Sequence, residues 1–247
     1  MNDYSMIGII IFIILIHTIL ASLYFRKFSP CVKRKVSNSE NIFLTFDDGP
    51  SPIYTLEILD LLKKYEIKAT FFVIAKKAKE HSDIIYRMIE DGHALGLHSN
   101  SHKNQCLRTY WQTKRDFQKS MEVFEEFNYK VRYYRAPWGL FNPFTYYYSN
   151  KFGLETVLWS IITSDWNPRA NVYKIANKIL NNVKKGDIIV LHDSNHSNNS
   201  DNGAPENTIQ ALNMVLPILI ERGFKFETLD KGIGNEVEGS FLSGADA

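Results

Sequence analysis

The sequence has few cysteines, little net charge and no internal repeats. Its 247 residues include only Cys31 and Cys106, which excludes a disulfide framework and a cysteine-rich zinc module. Lys plus Arg is 29 and Asp plus Glu is 27, so a net charge of +2 leaves no electrostatic footprint for nucleic acid, and none is expected as a partner. With 45% hydrophobic residues, 13 Gly and 8 Pro, the chain is neither collagen-like nor wholly disordered. The aromatics, 13% of residues, suit either core packing or a carbohydrate-facing surface.

Charge is also absent locally. Residues 6–25, MIGIIIFIILIHTILASLYF, hold no Asp, Glu, Lys or Arg. About 20 apolar residues is the length a helix needs to cross a bilayer. A cleaved signal peptide fits less well, because no Lys or Arg precedes the run and the run is too long. Residues 1–28 therefore read as a single N-terminal transmembrane anchor, 29–41 as a basic linker, 42–230 as one folded domain and 231–247 as a loose tail.

Inside the domain, short apolar runs alternate with amphipathic segments. Strands are expected at 42–46, 69–73, 94–97, 131–134, 155–162, 188–191 and 224–228. Helices are expected at 55–65, 82–91, 109–127, 143–151, 172–182 and 208–221. The alternation predicts the α/β class, with about seven parallel strands in a distorted (β/α) barrel. Five polar clusters each follow one of these strands: TFDDGP, HSNSH, RAPWG, TSDW and HD. Strand C-terminal ends meet on one face of an α/β barrel, so the clusters should converge on one site.

Their chemistry suits hydrolysis. Asp47 and Asp48 are adjacent, and on an extended chain they point to opposite sides, one toward a metal and one toward a proton. His98 and His102 are four apart, a spacing that aims both rings one way on a helical turn. Asp48, His98 and His102 make a three-ligand set that leaves a coordination position open. Arg135 is either a bidentate clamp on a carboxylate or a surface charge. Trp138 and Trp166 either shape a sugar groove or belong to the core. His192 is placed to protonate a leaving group, with Asp165 available to orient it or raise its pKa.

The five motifs, in this order, resemble those of the polysaccharide deacetylases with a NodB-homology domain, carbohydrate esterase family 4. They are Thr45-Phe46-Asp47-Asp48-Gly49-Pro50, His98-Ser99-Asn100-Ser101-His102, Arg135-Ala136-Pro137-Trp138-Gly139, Ser164-Asp165-Trp166 and Leu191-His192-Asp193. The resemblance covers roughly residues 42–229. It implies a distorted barrel and a metal-dependent deacetylase. It further implies Asp47 as general base, Arg135 as its orienting partner, and Asp48, His98 and His102 as ligands of a divalent metal, usually zinc. His192 would be the general acid supported by Asp165. The Trp138 backbone N–H would bind the oxyanion, Pro137 and Trp166 would flank the substrate, and Leu191 would line the acetyl pocket. The fourth motif departs from the family pattern V-D-x-x-D-W by placing Ile162 where an Asp often stands. A local loss of hydrogen bonding is expected there, with the metal retained.

The expected function is thus a membrane-anchored, metal-dependent hydrolase that deacetylates the N-acetylated sugars of a glycan such as peptidoglycan or chitin. Two alternatives are a deacylase of a lipid-linked amino sugar and a catalytically inactive glycan-binding module. Arg26, Lys27, Lys33, Arg34 and Lys35 follow the apolar run, which by the positive-inside rule points the domain to the cytoplasm. A wall-glycan substrate requires the opposite side, and the expectation is an extracytoplasmic catalytic domain.

Overall fold

A computed structural model describes residues 5–9, 12, 16–167, 169–194 and 204–233. The strands are β1 (Val32–Lys33), β2 (Phe43–Asp47), β3 (Thr70–Val73), β4 (Ala94–Leu97), β5 (Tyr133–Tyr134), β6 (Glu155–Val157), β7 (Ile161–Ile162) and β8 (Ile188–His192). The helices are α1 (Ala21–Lys27), α2 (Tyr54–Lys64), α3 (Ala75–Glu80), α4 (Ser82–Glu90), α5 (Tyr110–Glu126), α6 (Pro143–Lys151), α7 (Val172–Leu180) and α8 (Ala204–Glu221). One curled parallel sheet runs in the order β1-β6-β5-β4-β3-β2-β8-β7. Its end strands β1 and β7 do not pair among the described residues, so the barrel is open.

Strand β2 shows why the central strands lack a polar/apolar alternation. All five of its residues are buried, because helices cover one face and the barrel interior covers the other. Leu44, Phe46, Phe71, Leu95, Ile189 and Leu191 join the helix-facing core. Phe43, Phe72, Tyr133, Val157 and Ile188 form a smaller cluster inside the barrel. Two of the surrounding helices begin where the sequence supplies a full capping box. Thr109 and Gln112 form one on α5, and Asn142 with Thr145 forms another on α6, which has Pro143 in its first turn.

Three expectations change. The run 155–162 is two strands, not one. Strand β6 pairs with β5 near one end of the sheet, whereas β7 pairs with β8 at the other. The residues between them cross the open seam, with Leu158 N–H donating to the Lys33 carbonyl and Ser160 N–H to that of Ile188. Val32–Lys33, inside the stretch read as a linker, pairs with β6 as an edge strand. The expected strand at 224–228 reduces to a single bridge between Phe226 and Ile42. Among the described residues no helix is long and apolar enough to cross a membrane. Ile10, Ile11 and Ile13 to Leu15 of the apolar run at 6–25 lie outside the described residues, as do 234–247 of the expected tail. Ile233 is buried in the barrel interior cluster.

Candidate active site

Register brings the first and last motifs together. Parallel pairing of β2 with β8 sets Phe43 beside Ile188, Thr45 beside Val190 and Asp47 beside His192. These odd positions of β2 face the interior, so the barrel mouth receives a carboxylate and an imidazole side by side. Asp48 then leaves the strand with φ of 80°, a left-handed conformation that Asp tolerates better than most residues. The turn needs glycine next: a Cβ on Gly49 would lie 2.2 Å from Asp193 Oδ2.

This backbone corrects the expected divergence of the two aspartates. Both reach His98, whose Nε2 lies 3.3 Å from Asp48 Oδ1 and 4.0 Å from Asp47 Oδ2. His98 and His102 are not on a helical turn either. His98 follows β4, and positive φ at Ser99 and His102 folds the intervening residues back. The Ser99 hydroxyl accepts from His102 N–H at 2.8 Å. The start of α3 holds the same loop, with Ala75 and Lys76 N–H donating to the carbonyls of Ser99 and Asn100. The His102 Nε2 comes to 3.1 Å from Asp48 Oδ1.

Asp48, His98 and His102 place one donor atom each within 4.8 Å of one another. The His98 Nδ1 lies 2.9 Å from the carbonyl oxygen of Arg135, which can only accept; Nδ1 therefore carries the proton and Nε2 presents a lone pair to the cluster. One carboxylate and two imidazoles, one with its tautomer fixed by the backbone, fit a divalent transition metal.

Arg135 is completely buried, so the surface reading falls away. Nη1 donates to Asp47 Oδ1 at 2.7 Å and to Thr45 Oγ1 at 2.8 Å, while Nη2 donates to Leu158 O at 2.9 Å. Its grip on Asp47 is through one nitrogen and not bidentate, because the other binds the segment that crosses the seam. The guanidinium carbon also sits 3.9 Å from the centre of the Phe72 ring.

Asp165 is equally buried and accepts four hydrogen bonds, from His192 Nδ1 (2.8 Å), His192 N–H (2.8 Å), Thr208 Oγ1 (2.8 Å) and Thr163 Oγ1 (3.0 Å). Burial would raise its pKa, but the His192 charge and these donors hold it below the usual carboxylate range. Burial likewise opposes the charge on His192, yet Asp165, then Asp48 and Asp47, push its pKa up to about 10. A cation held by Asp48 would cancel part of that pull and leave Asp165 as the main cause. Ile162 lines the cleft and supplies no side-chain hydrogen bond, while Asp165 is filled by the two threonines. Asp193 is not aimed at the cleft: Thr55 donates to its Oδ2 at 2.6 Å, and burial pushes its pKa up to about 7.

These groups surround one cavity of about 110 Å³. Asp47, His98, His102 and His192 make its polar side, Trp138, Trp159, Ile162, Trp166 and Val190 its apolar side, and Arg26 of α1 also lines it. Trp138 and Trp166 are 47% and 41% exposed, which rules out the core reading for both. Their rings pack edge-on against His102 and His192, at 4.3 and 5.0 Å between centroids. Pro137 is buried in a short 3₁₀ turn that carries Trp138 at φ of 56°. Leu191 does not line the cavity. Alternation along β8 sends it into the helix-facing core and presents Val190 instead. Sequence reading passed over Arg26, Trp159, Val190 and the threonines at 45, 163 and 208. Strand alternation, two residues back from Asp47, Asp165 and His192, would have found two of the threonines and Val190.

Fold and cleft together define an α/β-barrel hydrolase with a carboxylate–imidazole centre. The sequence matches the polysaccharide deacetylase family model over residues 34–157, and the chain belongs to that family. It is 32% identical over 203 residues to a chitooligosaccharide deacetylase of Sinorhizobium fredii, covering 80% of this chain and 94% of the relative. It is also 32% identical over 201 residues to a peptidoglycan-N-acetylglucosamine deacetylase of Bacillus cereus, covering 80% and 90%. Among solved structures, the Bc1960 peptidoglycan N-acetylglucosamine deacetylase in complex with 4-naphthalen-1-yl-N-oxidanyl-benzamide superposes with a TM-score of 0.74, at 27% identity over 81% of this chain and 91% of that one.

Proposed function

We propose that this enzyme removes acetyl groups from N-acetylated amino sugars of a glycan, with Asp47 as general base and His192 as general acid. The observation that carries the reading is the pairing of Asp47 with His192 across β2 and β8, at the rim of a cavity shared with His98 and His102. Asp48, His98 and His102 would hold a divalent cation, zinc first among those the donors suit, and it would supply Lewis acidity toward water and the acetyl carbonyl. Arg135 holds the Asp47 carboxylate in place through Nη1, so that it is positioned to take a proton from water. The protonated His192, held by Asp165, gives its proton to the departing amine. Trp138 and Trp166 flank these groups, and the Trp138 backbone N–H is our assignment for the oxyanion donor. Acetate release from chitooligosaccharides and peptidoglycan fragments, with and without chelator, tests the function. Loss on chelation and recovery on adding zinc are expected, with one ion per chain in the wild type and far less in His98→Ala. Equal metal in the two proteins would overturn the ligand assignment.

Retention of all these groups disfavours an inactive glycan-binding module. Membrane attachment is a reading of the uncharged run at 6–25 in the sequence, although Ser22 and Phe25 in its last turns pack on the domain, and we place the catalytic domain outside, where a wall glycan lies. Protease added to intact, wall-stripped cells should digest the domain. Protection until lysis would reverse the topology and favour a lipid-linked or soluble precursor sugar.

A further inference from the structure

We infer that Arg26 is a specificity-determining residue, selecting substrates that carry an oxyanionic substituent, phosphate or carboxylate, near the N-acetyl group. The inference rests on the deacetylase reading above. Arg26 belongs to α1, outside the barrel, and yet lines the same cavity as Asp47 and His192.

The helix is seated firmly enough to make this a built feature. The Phe141 N–H donates to Ser22 Oγ at 3.2 Å. Phe25 stacks on Tyr146 with ring centroids 4.9 Å apart and leans on Phe141 at 5.7 Å. The last carbonyls of a helix have no partner within it. Here the Arg34 guanidinium takes them, with Nε donating to Arg26 O at 2.7 Å and Nη2 to Phe25 O at 2.5 Å. Nη1 of the same side chain binds Val32 O at 2.8 Å and Ser29 O at 3.1 Å, tying the helix end to β1. Arg34 thus fixes the backbone from which Arg26 projects.

The charges in the cleft leave Arg26 a distinct role. Asp47 is held by Arg135, and Asp48 lies against the two imidazoles. Arg26 makes no ion pair among the described residues, and the wall beyond the catalytic groups is apolar. An arginine that lines such a site and is solvent-exposed suits an oxyanion in two-point hydrogen bonding, which a neutral oligosaccharide does not offer.

The test uses the full chain and matched substrates: a neutral N-acetylglucosamine oligomer, the same oligomer with a 1-phosphate, and one with a lactyl ether carboxylate. In Arg26→Gln, the ratio of kcat/KM for an anionic substrate to that for the neutral one should fall about tenfold, through KM, and added salt should shrink the wild-type ratio. The arm that responds identifies the anion as phosphate or carboxylate. Arg26→Lys should restore part of the ratio. Arg34→Met should lower it with Arg26 intact, because the helix end loses its anchor. A binding measurement removes the dependence on turnover. Three of the four tryptophans line the cavity, so their fluorescence reports the Kd of N-acetylglucosamine 1-phosphate against N-acetylglucosamine. Ratios unchanged in Arg26→Gln, by kinetics or by binding, would overturn the inference. A wild type that releases acetate from none of the substrates would overturn the deacetylase reading, while the binding ratio would still decide the role of Arg26.

Discussion

Asp47→Asn is expected to fold, to bind metal at the wild-type level and to lose about 10²- to 10⁴-fold in kcat. The variant keeps an oxygen that can accept from Arg135 Nη1, now 2.7 Å from Oδ1, so the local geometry has reason to persist. It loses the group that takes a proton. Metal should stay because Asp47 is the outlying carboxylate: its Oδ2 is 4.0 Å from His98 Nε2, whereas Asp48 Oδ1 lies 3.3 and 3.1 Å from His98 and His102. Acetate release, metal content and thermal unfolding measured side by side separate these effects. Near wild-type kcat would remove Asp47 from the role of base, and loss of metal would make it a ligand. His192→Ala should lose turnover comparably but for the other proton. Asp165 holds the His192 pKa above the ordinary imidazole value even with a cation on Asp48, so wild-type activity should decline as pH rises through the alkaline range and the variant should lack that limb.

The site was legible in sequence to the extent that strand ends are. Apolar runs mark where strands stop, and the polar cluster after each stop is forced onto one rim of a parallel barrel. What stayed hidden is what depends on backbone conformation between those points. Nothing in an adjacent Asp pair announces that Asp48 adopts φ of 80° and turns its carboxylate to the same histidine as Asp47. Nor does an i, i+4 histidine pair distinguish a helix from a loop folded back by left-handed residues at Ser99 and His102. The run at 155–162 looked like one strand because its β-branched and apolar residues, from Thr156 to Ile162, are interrupted only by Ser160. Its break is set by pairing with β5 on one side and β8 on the other, a long-range property. Leu191 was misplaced for a simpler reason: the inward period on β8 is fixed by His192, and two residues back from it is Val190. Arg26 was read only as one of the basic residues after the apolar run, because nothing local in the sequence says that this segment packs back against the barrel mouth.

Arg135 is where fold and chemistry share one side chain, and its replacement should destabilise the protein more than any of the single substitutions at Arg26, Asp47, His98 or His192. Arg135→Met removes donors to Asp47, Thr45, Val157 and Leu158 at once and leaves Asp47 buried without its counter-charge. Breaking a buried pair from one side costs about 3–5 kcal/mol, a large share of the roughly 5–15 kcal/mol that holds a domain together. Arg135→Lys should cost less, about 2–3 kcal/mol, since one ammonium can satisfy Asp47 but cannot also span to the two seam carbonyls. Chemical denaturation would measure both. The double variant Asp47→Asn/Arg135→Met supplies the decisive comparison. If the destabilisation of Arg135→Met comes mainly from a stranded Asp47 charge, neutralising Asp47 should recover part of it, and the two changes should be less than additive. Strict additivity would instead assign the cost to the carbonyls of Val157 and Leu158, making Arg135 first a clasp across the open seam and only second a partner of the base. Stability unchanged in Arg135→Met would refute both accounts.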